Sequence, residues 1–399
     1  MYDTEPTTPK SRRAPRSAGR TALVVTAVLA VLLGTGVAAV AAFNMFGGDD
    51  QAGPQAGPSA AGSASAAPSP TGEPAPKVIS MSATGDIVMG NAPGRLPANG
   101  GKGFFNSVKK ALAADLVMGN LEEPLTDDTG TSKCGANSTR CHQFRAPPSY
   151  AGHLKEAGFE LLNQANNHGY DYGKAGYENT QEALEKYGLQ HTGAPNQITV
   201  VDVEGVKVAV AGFSSYAWSN SLTNISSAKK VIQKAATMAD LVVVQVHMGG
   251  EGSEKTRVRP GTEMFLGENR GDPIKFSHSM IDAGADLVVG HGPHVMRALE
   301  FYKGRLIAYS LGNFAGGEGT LSNNGRLGWG AVLKVSLTAE GEWAGGQLVS
   351  TYMNGAGRPT MDSQRRAAGL VRDLCRSDFP KTGARVAADG KITPPAAAS

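Results

Sequence analysis

Apolar residues along this chain come in two spacings, and their alternation predicts the fold. Short β-branched runs bounded by glycine or polar residues occur at Val78 to Thr84, Ala114 to Gly119, Phe159 to Leu162, Ala239 to Val246 and Ala285 to Gly290. Continuous runs of this length read as buried strands of a sheet covered on both faces. Phe104 to Ala114, Tyr150 to Ala157 and Tyr177 to Tyr187 instead carry apolar residues at helical spacing. Val200 to Val210 alternates around Glu204-Gly205 and predicts a β-hairpin, and Arg305 to Ser310 and Ala331 to Leu337 predict two more strands. Strands interleaved with helices indicate an α/β domain. The hairpin makes its sheet mixed.

The candidate chemistry sits in the polar residues just after these runs. The five strand-like segments lead to Gly85-Asp86, to Asn120-Leu121-Glu122, towards Asn166-Asn167-His168, to His247, and to His291-Gly292-Pro293-His294. In open α/β sheets ligands bind beyond the carboxyl ends of the strands. Convergence there predicts a crevice shared by Asp86, Asn120, Glu122, Asn167, His168, His247, His291 and His294. Carboxylate, amide oxygen and imidazole together suit a divalent metal ion. A lone histidine after a strand is more often an ordinary loop residue. Here the pattern recurs, with four of the eight histidines at such ends.

Upstream of these runs the pattern changes. Residues 1–20 carry five basic groups against Asp3 and Glu5, and Thr21 to Phe43 is an uncharged apolar stretch of 23 residues. That is long enough to span a bilayer as a helix, and the basic flank predicts a cytoplasmic amino terminus with the remainder outside. A cleaved signal peptide is the alternative, since Ala39-Val40-Ala41 fits a cleavage pattern. Residues 44–77, rich in Gly, Ala, Pro and Ser, read as a flexible spacer. Beyond residue 20 the chain holds 33 basic and 33 acidic residues. A neutral body excludes the basic footprint of a nucleic-acid binder.

Three cysteines complete the chemistry. Cys134 and Cys141 share one polar loop, and in an exported domain such a pair predicts a disulfide. Cys375 stays free, on a predicted helix from Asp362 to Arg376 capped by Asp362 or Ser363. The Pro- and Ala-rich end reads as a disordered tail. The organisation is then a basic tail (1–20), a signal anchor (21–43), a linker (44–77), a domain (78–356), and a C-terminal helix and tail (357–399).

Six motifs occur in order: Ser82-Ala83-Thr84-Gly85-Asp86-Ile87, Gly119-Asn120-Leu121-Glu122, Ala165 to Gly173 around Asn167-His168, Val246-His247-Met248-Gly249-Gly250-Glu251, Gly290-His291-Gly292-Pro293-His294-Val295, and Tyr309-Ser310-Leu311-Gly312-Asn313-Phe314. Together they resemble the CapA (PgsA) poly-γ-glutamate capsule synthesis family, within the calcineurin-like metallophosphoesterase superfamily. The resemblance covers roughly Val78 to Phe314.

It implies a four-layer sandwich of two mixed sheets flanked by helices, and a divalent ion of the Mn, Fe or Zn class. It implies metal ligation by Asp86, by Asn120 or Glu122 in the bridging position, and by Asn167, His247, His291 and His294. His168 would assist the chemistry. Three departures bear on whether one metal or two is held: Val88 stands where the superfamily has a histidine, the bridging aspartate is missing unless Glu122 replaces it, and the last motif is His-x-x-His. Two function classes are implied. One is a metal-dependent hydrolase or transferase at the cell surface; the other is a non-catalytic subunit for polymer binding or export. An anionic polymer such as polyglutamate would suit either, along Lys102, Lys133, Arg140 and Arg145, residues that otherwise read as solvated loop surface. Synthase or export subunits would be its partners.

Overall fold

The chain lays down half of one sheet, leaves to build a second, and returns to finish the first. The computed structural model describes residues 76–127, 131–135, 138 and 141–396. The predicted spanning segment 21–43, nearly all of the spacer, and Arg140 lie outside the described residues. No helix among the described residues is long and apolar enough to cross a membrane.

Strands β1 (Val78–Val88), β2 (Leu116–Leu121), β3 (Leu161–Asn163) and β4 (Gln190–Thr192) run parallel as neighbours. The predicted hairpin, β5 (Thr199–Val203) and β6 (Val206–Ser214), opens the second sheet, with the short β7 (Asn220–Ser221) beside β6. Then come β8 (Leu241–His247), a small hairpin of β9 (Met264–Phe265) and β10 (Glu268–Asn269), β11 (Leu287–His291), β12 (Leu299–Tyr302) and β13 (Arg305–Ala308). The first sheet is completed by β14 (Asn313–Gly316), β15 (Trp329–Thr338), β16 (Trp343–Met353) and β17 (Pro359–Met361), and β18 (Arg385–Val386) pairs with β19 (Ile392–Thr393). The first sheet runs β17-β16-β15-β1-β2-β3-β4 with β14 also on β1, and the second runs β12-β13-β11-β8-β6-β5. Both are mixed, the second as its hairpin required and the first through antiparallel β15, β16 and β17.

Period-two alternation explains the layering. Leu116 and Met118 of β2 face the second sheet, in one core with Val208, Val210, Val243 and Val289. Val117 and Leu121 point the other way, onto Phe105, Leu112, Leu154 and Leu184. Those last three lie on helices α1 (Lys109–Leu112), α2 (Ala151–Ala157) and α3 (Gly173–Lys186). The second sheet is covered by α4 (Ile225–Ala235) and α5 (Pro273–Asp282), which contact β6 and β11. Each large aliphatic side chain buried this way contributes about 1.5–3 kcal/mol. A sheet apolar on both faces must sit between two layers.

Two expectations are corrected. The helix predicted over 104–114 shrinks to α1; before it the chain turns through Gly100, Gly101 and Gly103, all at positive φ, so that Phe104 and Phe105 drop into the core. The C-terminal stretch completes the domain, with α6 (Arg366–Asp378) placing Ala367, Val371, Leu374 and Cys375 in the same core as both sheets. The β18–β19 ladder stands where composition predicted a tail.

Cys134 and Cys141 are bonded to each other with Cα atoms 5.6 Å apart, and Cys375 is free and buried. The native oxidised protein is therefore expected to resist thiol reagents. Denaturation without reductant should expose a single reactive thiol, which labelling and mass spectrometry would assign to Cys375.

Candidate metal centre

The strand ends do converge. The register of β1 slips between Ala83 and Asp86, which sets Asp86 opposite Asn120 of β2 and Asn313 of β14. In the second sheet His247 and His291 are register partners at the ends of β8 and β11. Parallel pairing that ends in register thus puts two imidazoles side by side. His294 comes next in a tight turn with Gly292 at φ 109° and itself at φ 59°. A Cβ on Gly292 would stand 3.1 Å from the His247 ring, so only glycine lets the turn come this close.

Ligand atoms of Asp86, Glu122 and His294 all lie within 4.8 Å of one another. His294 Nδ1 is 3.2 Å from Asp86 Oδ2, and its Nε2 is 3.8 Å from Glu122 Oε1 and 3.6 Å from Glu251 Oε2. His247 Nε2 is 3.9 Å from Glu122 Oε1, and His291 Nδ1 is 3.9 Å from Asp86 Oδ1. Asp86, Glu122, His247 and His291 are fully buried.

Whether these residues fit a cation can be tested on their partners. Both carboxylate oxygens of Glu122, Asn167 Oδ1, both ring nitrogens of His247 and His291 Nδ1 are buried without a hydrogen-bond partner among the described residues. A buried polar atom left unpaired costs about 1–3 kcal/mol. The atoms of Glu122, His247 and His291, brought together at the strand ends and of types that ligate divalent ions, fit a metal ion. They fit nothing apolar.

Electrostatics agree. Burial would raise Asp86, but the hydrogen bond and charge of His294, with His291 and His247 behind it, outweigh that and hold the carboxyl at about 2. Burial, reinforced by the Asp86 charge, pushes Glu122 well above the usual carboxylate range. Burial lowers His247 far below the usual imidazole value and His291 to about 4. It also works against charge on His294, yet Glu122, Asp86 and Glu251 overcome it and drive that pKa up. The buried carboxylates of Asp86 and Glu122 draw positive charge towards the cluster, which suits a cation.

Asn120, expected among the ligands, has another task. Its amide donates to Asp86 Oδ1 at 2.8 Å, while its own oxygen accepts from Asn163 and Asn166 at 2.9 and 3.1 Å. It straps Asp86 in place, whereas both carboxylate oxygens of Glu122 stay unpaired among the described residues. His168 stands beside the cluster, with Nδ1 2.7 Å from Asp171 Oδ2. Asp171 also accepts from Phe144 N at 2.7 Å and pairs with Lys133 at 2.6 Å. Burial lowers the His168 pKa despite Asp171. Lys133 therefore reaches the site's edge, whereas Arg145 stacks over Tyr172 and donates to Thr126 O, and Lys102 is exposed without a role here.

Several participants were missed. Gln245 Oε1 lies 3.2 Å from His291 Nε2, which puts the proton there and frees Nδ1 for a metal. Asn313 Oδ1 lies 2.8 Å from His294 Nδ1. Glu251 pairs with Arg270 at 2.9 Å, and Arg270 lies against Tyr216 and Phe265. Asn313, Glu251 and Asp171 all sit inside the six motifs, so the signal was present without a role attached. Gln245 sits inside a strand two residues before His247, where only its side of the sheet reveals it.

Glu123 turns away from its neighbour. Its Oε1 accepts from Met89 N at 2.6 Å, and burial pushes its carboxyl up to about 8. A folded pKa above the unfolded one means the native state keeps a proton that the unfolded chain has released. The associated stability is present below about 4.5 and is lost as pH rises through about 8. Glu123→Gln is expected to raise Tm above that range and change it little near pH 4.5, as thermal melts at both pH values would report.

A sequence profile described as "Bacterial capsule synthesis protein PGA_cap" matches residues 80–318. The chain belongs to this family. The match takes in every residue of the cluster, and the family resemblance of the six motifs holds. Among curated relatives, the capsule biosynthesis protein CapA of Bacillus anthracis is 33% identical over 265 residues, covering 60% of each chain. The PGA biosynthesis protein CapA of Bacillus subtilis is 31% identical over 261 residues, covering 61% of this chain and 64% of that one. This member of the family thus spans less than two thirds of the length of those relatives. A solved structure, a 5'-nucleotidase precursor from Thermus thermophilus, aligns at 14% identity over 76% of this chain and 60% of its own, with a TM-score of 0.39.

Proposed function

We propose that this chain is a membrane-anchored, extracytoplasmic component of capsule or poly-γ-glutamate synthesis whose domain holds a divalent ion at a divergent metallophosphoesterase-type site. The unpaired donor cluster at the strand ends carries the metal reading. Family membership and the names of the CapA relatives support the polymer. The anchor rests on the basic residues 1–20 and the apolar stretch 21–43. Polymer synthase or export subunits would be the protein partners.

Asp86, Glu122, Asn167, His247 and His291 would hold the ion, and His294, fixed by Asn313, would close the set. Bound there, the ion would supply Lewis acidity at a substrate oxygen. His168 would handle the proton. Asp171 accepts at Nδ1, so the first ring proton resides there, and Lys133 pairs with the same carboxylate. Nε2 then serves as the acceptor facing a cavity of about 350 Å³ lined by Asn167, Trp218, Glu251 and Arg270. It can take a proton there and return it. A binding-only subunit is the second reading, favoured by the buried Val88 where the superfamily's histidine would stand.

The test is elemental analysis of the full chain purified in detergent, paired with hydrolysis assays on a general phosphoester and on poly-γ-glutamate. A bound divalent ion is expected, and His168→Ala should keep it while reducing turnover by about 10²–10⁴-fold. Metal without turnover on either substrate selects the binding-only reading. No metal after loading with Mn, Fe or Zn refutes the site.

A further inference from the structure

We propose a second ligand site, a cationic groove at the C-terminal end of the domain that takes an extended polycarboxylate chain. The groove, about 600 Å³ in volume, lies between α6, the turn after it and β18. It shares no residue with the metal centre and falls outside the 80–318 span of the family match.

Its chemistry is two-sided. Cys375, Phe379 and Val386 form an apolar floor, each buried, while Arg372, Arg376, Lys381 and Arg385 stand around the rim. Arg372 and Arg376 are one helical turn apart and so share a face. Among the described residues, no carboxylate side chain lines the groove. Asp378, at the end of α6, is already taken by Arg257 and Arg259 at 2.5 and 3.1 Å and by Val258 N at 2.9 Å. Among the described residues, Arg372 has only the exposed Asp373 as an ion-pair partner, at 3.6 Å. Arg376, Lys381 and Arg385 are exposed, and no described carboxylate lies within ion-pair distance of them. Residues 357–399 hold eight basic and four acidic residues, whereas the chain beyond residue 20 is neutral as a whole. The excess is local.

The walls are also built. Thr382 donates to Glu300 at 2.7 Å, Phe301 N donates to Thr382 O at 2.8 Å, and Ala384 N donates to Leu299 O at 2.9 Å, so the turn is pinned to β12. A preformed concave channel suits a chain, whereas a lipid surface would need a convex or flat cationic face. Poly-γ-glutamate matches both sides: each unit carries one free carboxylate for the rim and backbone methylenes for the floor. The identity of the polymer rests on the functional reading above; the groove and its charge do not.

The test uses full chain in detergent and the anisotropy of fluorescent poly-γ-glutamate, with chelator and without. Binding should persist in chelator and weaken steeply with salt. Arg376→Glu with Arg385→Glu should weaken it at least about 10-fold, with Tm unchanged because both side chains are exposed, and the Lys replacements should retain most affinity. Loss of binding on chelation would place the polymer at the metal centre and overturn the groove, while leaving the polymer reading intact. Unchanged affinity in the double Glu variant would overturn it too. So would capture of phosphatidylglycerol vesicles without capture of the polymer.

Discussion

Full chain carrying His247→Ala or His291→Ala should retain less than about a tenth of the wild-type divalent metal after dialysis, with affinity reduced at least about 100-fold. Outer partners of metal-binding histidines already cost about 10–100-fold when removed, so a ligand should cost more. The two imidazoles are register partners on adjacent parallel strands and are completely buried, so no neighbouring side chain can swing in to replace either. Gln245→Ala should fall between these variants and wild type, since it only orients His291 through a 3.2 Å contact. Asn120→Ala should behave likewise through Asp86. Elemental analysis and competitive titration check the series. Equal metal content in all four variants would exclude a site at these strand ends.

Gly85→Ala is expected to be among the most destabilising single-methyl additions in the protein. A Cβ there would lie 1.9 Å from Gly312 O and 2.8 Å from Leu311 O, and both are backbone atoms that cannot rotate away. The same Gly312 O accepts from Asp86 N at 3.0 Å, so β1 and β14 must part just where Asp86 is fixed. Overpacking of this kind costs about 1–3 kcal/mol when side chains can yield, and more when backbone must move. Thermal melts should show a drop of several degrees, and metal affinity should fall with it. A variant with wild-type Tm and metal content would mean that the strands do not approach this closely.

Both results depend on features that differ in how visible they are along the chain. The apolar runs, and the donors just after them, are local facts: Asp86, Glu122, His247 and His291 each sit at the end of a run whose composition identifies a strand. Parallel topology then carries those ends to one side, which is why most of the cluster could be named in advance. The disulfide loop was legible for the same reason, its two cysteines being close in sequence.

The division of labour within the cluster was not legible. Asn120 and Glu122 stand two residues apart with equal claim to the bridging position. Only the approach of Asn163 and Asn166 from β3 and the loop after it consumes the Asn120 oxygen and leaves Glu122 unpaired. Gln245 and Asn313 become partners of His291 and His294 through register between distant strands, a non-local quantity. The segment at 104–114 kept its helical spacing yet gave up most of its helix to glycine turns that seat Phe104 and Phe105. By itself, then, the sequence determined the strands, their polar ends and the donor types, because periodicity and turn chemistry act over a few residues. Tertiary structure alone decided which donor is strapped and which stays unpaired, and that α6 closes the core, because hydrogen-bond competition and burial depend on what the rest of the chain brings alongside.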